Sequence, residues 1–278
     1  MKKLKTTFAA TPKYLVLIFL SLLYLLPFYI IARNALMTQR EVAQFDWLFW
    51  AKEPQWKNIT TLLNDPIANM RVGLKNSTIV SLAQVIGRLI ISSMAGYGLA
   101  RIKYKWANRV FFFTLGALMV PSAAIFVQTF LVVSYLGWVN TLAGLVIPGM
   151  FDVFSVYIFR QFFLDFPKDL EDAAKVDGLS TFGTFFKIVI PNSKGVFISL
   201  GTLGLIRSWN SFLWPLVIGQ TRDTWTVQVV LSTFLTAQTI NLPALFMGAA
   251  IGILPIIVIF FFVQRYIVEG VKVSGLKG

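Results

Sequence analysis

Six long apolar runs divide the chain: about Tyr14–Ala32, Thr78–Ala100, Val110–Val133, Leu142–Phe163, Val196–Ile218 and Ala244–Val263. Each is roughly 18 to 24 residues long, enough for a helix to cross a ~30 Å hydrocarbon layer. Charged residues make up only 13% of the 278, about half the fraction usual in a soluble domain, and 56% are hydrophobic. The fold class that follows is an all-α polytopic membrane protein with six transmembrane helices.

Charge placement orients those helices. An even number of spans puts both termini on one side. The N-terminal tail, the loops after the second and fourth runs, and the C-terminal tail hold fifteen Lys and Arg residues, against seven in the opposite loops. Lys and Arg collect in cytoplasmic loops, so both termini are expected in the cytoplasm. The net charge of +13 therefore reads as a topology signal and not as a nucleic-acid surface. The first run follows Met-Lys-Lys-Leu-Lys but is too long for a signal-peptide core and ends without a clear small-x-small site, so it reads as a retained span.

Several chemistries are excluded at once. The chain has no cysteine and no histidine, which removes disulfides, thiol nucleophiles, Cys- or His-based zinc sites and histidine bases. An oxygen-only metal site would need clustered carboxylates, and the apolar runs hold almost none. No Gly-x-x-x-x-Gly-Lys-Ser/Thr phosphate loop is present, so the chain is not itself an ATPase and no cofactor is expected in it. Pro27, Pro121, Pro148, Pro215 and Pro255 fall inside apolar runs, where each removes a helix hydrogen bond. The loop from Arg33 to Lys75 carries Trp47, Trp50 and Trp56, which suit either interfacial anchoring or docking of an external partner.

The segment Asp165 to Gly195 is a charged island among these runs. Pro167 suits the first turn of a helix, and Asp169, Glu171 and Asp172 place negative charge where the helix dipole favours it. Ala173 and Ala174 are strong helix formers with little bulk, and Gly178 can take the left-handed conformation that ends a helix. A second amphipathic helix begins near Ser180 or Thr181, with Phe182, Phe185, Phe186 and Val189 on its apolar side and Pro191 interrupting it. Small residues let another surface come close and carboxylates can pair with its Arg or Lys, so a protein docking site competes with a plain solvated connection.

This segment resembles the signature loop of bacterial ABC importer permeases, specifically the maltose-type carbohydrate-uptake group. The pattern Pro-x-x-Leu-x-x-Ala-Ala-x-x-Asp-Gly is met by Pro167, Leu170, Ala173, Ala174, Asp177 and Gly178, with Ile188 and Pro191 following. Asp172 stands where the group usually has Glu, Leu179 where it has a small residue, and Gly195 where proline is frequent. Asn76-Ser77, Arg160-Gln-Phe-Phe163, Trp209-Asn-x-Phe-x-Trp-Pro215 and the ending Gly270 to Gly278 are also similar to the group's patterns.

The resemblance implies a type I ABC importer permease fold in a bacterial cytoplasmic (inner) membrane. It divides the chain into a cytoplasmic tail (1–13), a six-helix permease domain (14–264) with its coupling loop (164–195), and a second cytoplasmic tail (265–278). Leu170, Glu171, Asp172, Ala173, Ala174, Asp177 and Gly178 would form the coupling helix, seated in a cleft of an ATPase. The implied partners are a second homologous permease subunit, an ABC ATPase dimer that binds ATP and Mg, an extracytoplasmic solute-binding protein and a sugar substrate, with membrane lipid around them.

Three ionisable residues fall well inside apolar runs: Arg88, Asp152 and Arg207. The arginines can pair with backbone carbonyls or with a neighbouring permease chain. Asp152 can pair with either arginine, or, in a rival reading, relay protons in an autonomous secondary carrier. Trp209, Asn210 and Ser211, with Gln128, supply the aromatic, amide and hydroxyl groups that contact sugars, though packing and interhelical hydrogen bonds use the same types.

Overall fold

The computed structural model describes residues 2–44, 47–66, 68–235 and 240–275, with side chains given between 13 and 264. The side chains of both tails, and the chain end at 276–278 on which the ending motif partly rests, lie outside the described residues. In order the helices are α1 (Lys2–Ala35), α2 (Gln39–Ala43), α3 (Lys57–Leu63), α4 (Met70–Arg101), α5 (Ala107–Leu118), α6 (Ser122–Tyr135), α7 (Leu142–Val146), α8 (Val153–Leu164) and α9 (Lys168–Val176). They continue as α10 (Thr181–Thr184), α11 (Ile190–Asn192), α12 (Lys194–Trp209), α13 (Leu213–Ile218), α14 (Val227–Ser232) and α15 (Leu242–Gly275). Among the described residues the one β feature outside the helices is an isolated bridge between Leu235 and Ile240.

Three helices, Lys13–Ala35, Met70–Arg101 and Leu242–Gln264, are each long and apolar enough to cross a membrane. The number rises to six if each of three bent helix pairs counts as one span. The run Val110–Val133 is not one straight helix: α5 and α6 meet at 100°. Pro121 has no N–H to continue the ladder and sits with ψ at 133°, so a new helix starts at Ser122. Likewise the run Val196–Ile218 ends at Trp209 and resumes as α13 after a three-residue break. Pro27 and Pro255 instead lie within continuous helices.

The chain forms two compact units. The first comprises 1–71 and 230–254. Here α1 exposes its large apolar side chains from Tyr14 to Phe28, as a lipid-facing helix does, and none of its most apolar window is buried. The turn into α2 is fixed by a capping box: Thr38 Oγ1 accepts from the Glu41 N–H at 3.3 Å and Glu41 Oε2 accepts from the Thr38 N–H at 2.9 Å. That backbone N–H holds the Glu41 carboxyl below its ordinary range. Trp47, Trp50 and Trp56 are all exposed, and the Arg33 guanidinium lies 4.1 Å over the Trp47 ring.

The second unit, 72–229 and 255–278, carries an aromatic core. Phe159 and Phe163 of α8 stack with centroids 5.7 Å apart. Tyr97 of α4 meets Phe163 edge-on at 5.6 Å and lies 4.9 Å from Phe185. Phe166, Val189 and Leu200 complete this core. It forms because α4 and α8 approach closely at Gly96, where an added Cβ would sit 2.7 Å from the Phe159 Cβ and 2.9 Å from the Arg160 backbone nitrogen. Gly96→Ala is therefore expected to lower thermal stability by about 1–3 kcal/mol, since the helices must part. Gly98, two residues on, has open space around it, so Gly98→Ala should be neutral or slightly stabilising. Melting of the two detergent-solubilised variants checks this, and equal behaviour would refute the close approach.

Candidate functional site

Short and strongly two-faced, α9 is tethered at both ends. Pro167 directly precedes it, with φ at −58°, one residue earlier than a first-turn position. At its end the Leu179 N–H donates to the Ala174 carbonyl at 2.9 Å and the Gly178 N–H to that of Lys175 at 3.0 Å. With Gly178 at φ +78° this is a Schellman stop, as its sequence position suggests.

The acids and alanines of α9 divide between its faces. Glu171 and Ala174 are buried, whereas Leu170, Asp172, Ala173, Asp177 and Gly178 are exposed. The two alanines thus do different things: Ala174 packs inward, and Ala173 sits at the centre of the outward face between Leu170 and Val176. Glu171 Oε1 lies 3.0 Å from Arg101 Nε, with both side chains only 9% exposed. The groups are close but not aligned as a straight hydrogen bond, because neither atom finds a geometric hydrogen-bond partner. A second Arg101 nitrogen donates to the Phe166 carbonyl just before α9. Arg101 is the last residue of α4, so one guanidinium ties the end of a long helix to both the entry and the inner face of α9.

Asp172 is a contrasting case. It meets Lys175 at 2.8 Å on the surface. Its hydrogen bond to that ammonium holds the carboxyl below, and the ammonium above, its ordinary range. Both side chains are exposed, so the pair contributes little to the fold and remains available to a partner.

Behind α9 the chain re-enters as α10, capped by Ser180 Oγ, which accepts from the Gly183 N–H at 3.2 Å. The helix widens to a π-helical turn over Phe185–Val189 before Pro191 in α11. The expected apolar stripe splits: Phe185 and Val189 are buried in the aromatic core, while Phe182 and Phe186 are exposed at 65% and 52%. A groove of about 490 Å³ lined by Arg101, Lys103, Lys105 and Arg160 lies along the loop that follows α4.

The intramembrane charges lie at the break between α7 and α8. Past α7 the chain makes one 3-10 turn, Ile147–Gly149, and bends by 41° before α8. One face of α4 satisfies the carbonyls this frees. Gln84 Nε2 donates to Leu145 O at 2.8 Å, Arg88 Nη2 to Gly149 O at 2.8 Å and Ser92 Oγ to Asp152 O at 3.4 Å. Asp152 caps α8: its Oδ2 accepts from the Ser155 N–H at 2.9 Å and from the Ser155 hydroxyl at 2.6 Å. Its Oδ1 lies 3.5 Å from Arg207 Nη1, so its ionic partner is Arg207. Arg88 uses a backbone carbonyl.

The remaining sugar-type residues are dispersed in burial. Trp209 is only 4% exposed, so its ring packs within the chain. Asn210 ends α12, donating to Ile206 O at 3.0 Å while its Oδ1 accepts from Gln228 Nε2 at 3.4 Å. Ser211 continues that turn through its N–H to Ser208 O. Gln128 is exposed on α6.

Other polar fixtures carry no periodic signal in the sequence. Asn76 Nδ2 donates to the carbonyls of Asp223 and Trp225 at 2.7 and 3.0 Å, and Ser77 Oγ accepts from the Val227 N–H at 2.9 Å. Asn140, at φ 59°, accepts from Thr221 and Thr224. The Asn76-Ser77 pair is visible as a motif, but its role in pinning the 223–227 segment is not.

Residues 89–273 match the family of binding-protein-dependent transport system inner membrane components. The arabinooligosaccharides transport system permease protein AraQ of Halalkalibacterium halodurans is 37% identical over 203 residues, 73% of each chain. The protein of the same name in Bacillus subtilis is 33% identical over 261 residues, 93% of this chain and 92% of that one. A solved structure of a bacterial ABC transporter involved in the import of the acidic polysaccharide alginate contains a chain of the same fold. The two superpose with a TM-score of 0.80 at 19% identity, covering 94% of this chain and 97% of the other.

Proposed function

The chain belongs to the family of binding-protein-dependent transport system inner membrane components, and from that premise we propose how it works within its importer. As the permease subunit it forms half of a translocation pore for a sugar or oligosaccharide, the substrate class that the AraQ names support. The family is the membrane component of such systems, so ATP hydrolysis belongs to another chain. An ABC ATPase dimer binds ATP and Mg, a second permease of related sequence completes the pore, and an extracytoplasmic binding protein delivers the sugar. Both termini lie in the cytoplasm of a bacterial cell, a reading supported by the excess of basic residues in the tails and in the loops around Arg101 and Lys175.

The observation that carries this reading is the division of labour on α9. Its inner face is bound to α4 through Arg101 and Glu171, while its outer face presents Ala173 between Leu170 and Val176, edged by Asp172 and Asp177. A helix held this way can be pushed from outside and pass the displacement to α4 and to the spans after it. Capping of α8 and pairing with Arg207 give Asp152 a structural role, which supports the importer reading over a proton relay.

The test is to tag the chain, extract it in mild detergent and identify what co-purifies. An ATPase with a phosphate loop and a second permease of similar size are expected. A folded chain that emerges alone across several gentle detergents would overturn the proposal. Ala173→Trp should release the ATPase without changing the chain's melting temperature, because Ala173 is exposed. Ala174→Trp should unfold the loop, because Ala174 is 3% exposed.

A further inference from the structure

A cavity of about 200 Å³ opens between α4, the start of α8 and α12. Arg88, Asp152, Ser155 and Arg207 supply its polar wall, and Leu200 and Leu203 lie on its apolar side. Two guanidiniums face one carboxylate, so the cavity holds an excess of one positive charge. Both Asp152 oxygens are engaged, one by Ser155 and the other by Arg207. Arg88 is 8% exposed, and its Nε is buried without a hydrogen-bond partner.

Arg207 fixes which way the cavity faces. Its side chain is 70% exposed, and the one other charged residue of α12 is Lys194 at its first position. Ionisable groups at membrane depth face the interior of a bundle or a water-filled passage, because a guanidinium against hydrocarbon is strongly unfavourable. The face bearing Arg207 is therefore a pore face. An apolar wall with a few convergent polar groups is the usual form of a small-ligand site.

We propose that this cavity is an oxyanion subsite on the translocation path, and that the transported sugar is an acidic one whose carboxylate or phosphate is held by Arg88 and Arg207. The inference rests on the importer reading above. Guanidinium forks match carboxylate and phosphate oxygens in geometry as well as charge. Asp152 meets Arg207 through a loose 3.5 Å contact, which an arriving oxyanion can displace. Arg88 lines the same cavity; its Nη2 is engaged by the Gly149 carbonyl, and its buried Nε is the donor left for an anionic group.

The absence of cysteine allows a direct test in the complete transporter, reconstituted with its binding protein. Leu203→Cys places a single thiol in this chain at an exposed cavity position. An anionic methanethiosulfonate should label it about tenfold faster than a cationic one, as expected in an electropositive cleft. The ratio should fall to near one in an Arg88→Gln, Arg207→Gln background. Millimolar glucuronate or sn-glycerol 3-phosphate should slow labelling and glucose should not; whichever of the two protects better distinguishes a carboxylate from a phosphate substrate. Equal rates for the two reagents, protection by glucose alone, or a thiol that cross-links to the second permease would each overturn the subsite. If ATP-driven uptake persists while the ratio is one, only the subsite fails. If no ATPase accompanies the chain, the importer reading fails, and the labelling ratio still reports the charge of the cavity.

Discussion

Arg101→Ala is expected to lower the stability of the chain by about 3–5 kcal/mol and to reduce ATP-driven uptake more than any surface change on α9. The substitution leaves Glu171 buried without its counter-ion and removes the donor to the Phe166 carbonyl. Breaking one half of a buried ion pair has that magnitude, because the remaining charge stays desolvated. Glu171→Gln should be damaging for the mirror-image reason. The double variant Arg101→Met, Glu171→Leu removes both charges together and should recover most of the stability, since apolar replacement of a buried pair is often neutral or better.

That double variant separates attachment from charge. If the pair only fastens α9 to α4, uptake should return along with the melting temperature. Salt gives an independent check. With both side chains 9% exposed, the Arg101–Glu171 contact should be insensitive to ionic strength, unlike the surface pair of Asp172 and Lys175. Melting curves in detergent, alongside uptake by the reconstituted complex, measure both effects. An Arg101→Ala chain melting within about 0.5 kcal/mol of the parent would mean that Arg101 does not fasten α9 to α4.

The sequence reads well wherever one physical constraint acts locally. Apolar length announces the spans, and the Pro167–Gly178 pattern announces α9 with its left-handed stop, because length, dipole and φ preference are all local properties. The breaks are harder to place. Proline marks a candidate kink, yet Pro121 separates two helices at 100° while Pro255 lies within α15. At the α7–α8 break the freed carbonyls are met by Gln84 and Arg88 of α4, partners that no local pattern in the sequence names.

Pairing is harder still. In the sequence Arg101 is one more basic residue after a span, and Glu171 one more acid on a solvated helix. Their contact joins positions seventy residues apart, which no periodicity records. The same holds for Asp152, whose two possible partners in the sequence become one only when α8 and α12 are seen together. Trp209 has the ring type that stacks on sugars, but burial is a property of the packed chain and puts it inside.

Gly178→Val should uncouple ATP hydrolysis from uptake while the chain still assembles. Gly178 has φ +78° and nothing lies within 4 Å of where a Cβ would sit, so the penalty is purely conformational and not a clash. A non-glycine residue in the left-handed region loses about 1–2 kcal/mol, and a β-branched one fares worst. The stop after Val176 would then fail, losing the Leu179 bond to Ala174 and changing where α9 ends relative to its tether at Arg101. Asparagine tolerates this conformation, so uptake should rank Gly, then Asn, then Ala, then Val, with Val reduced about tenfold or more for a loss near 2 kcal/mol. Gly195 is equally open but is not in the left-handed region, so Gly195→Val is the matched control and should transport normally. Equal uptake by the two valine variants would mean that the geometry of the α9 stop does not govern coupling. A ranking that follows φ tolerance instead of side-chain size would mean that the motor is read through the backbone of this turn.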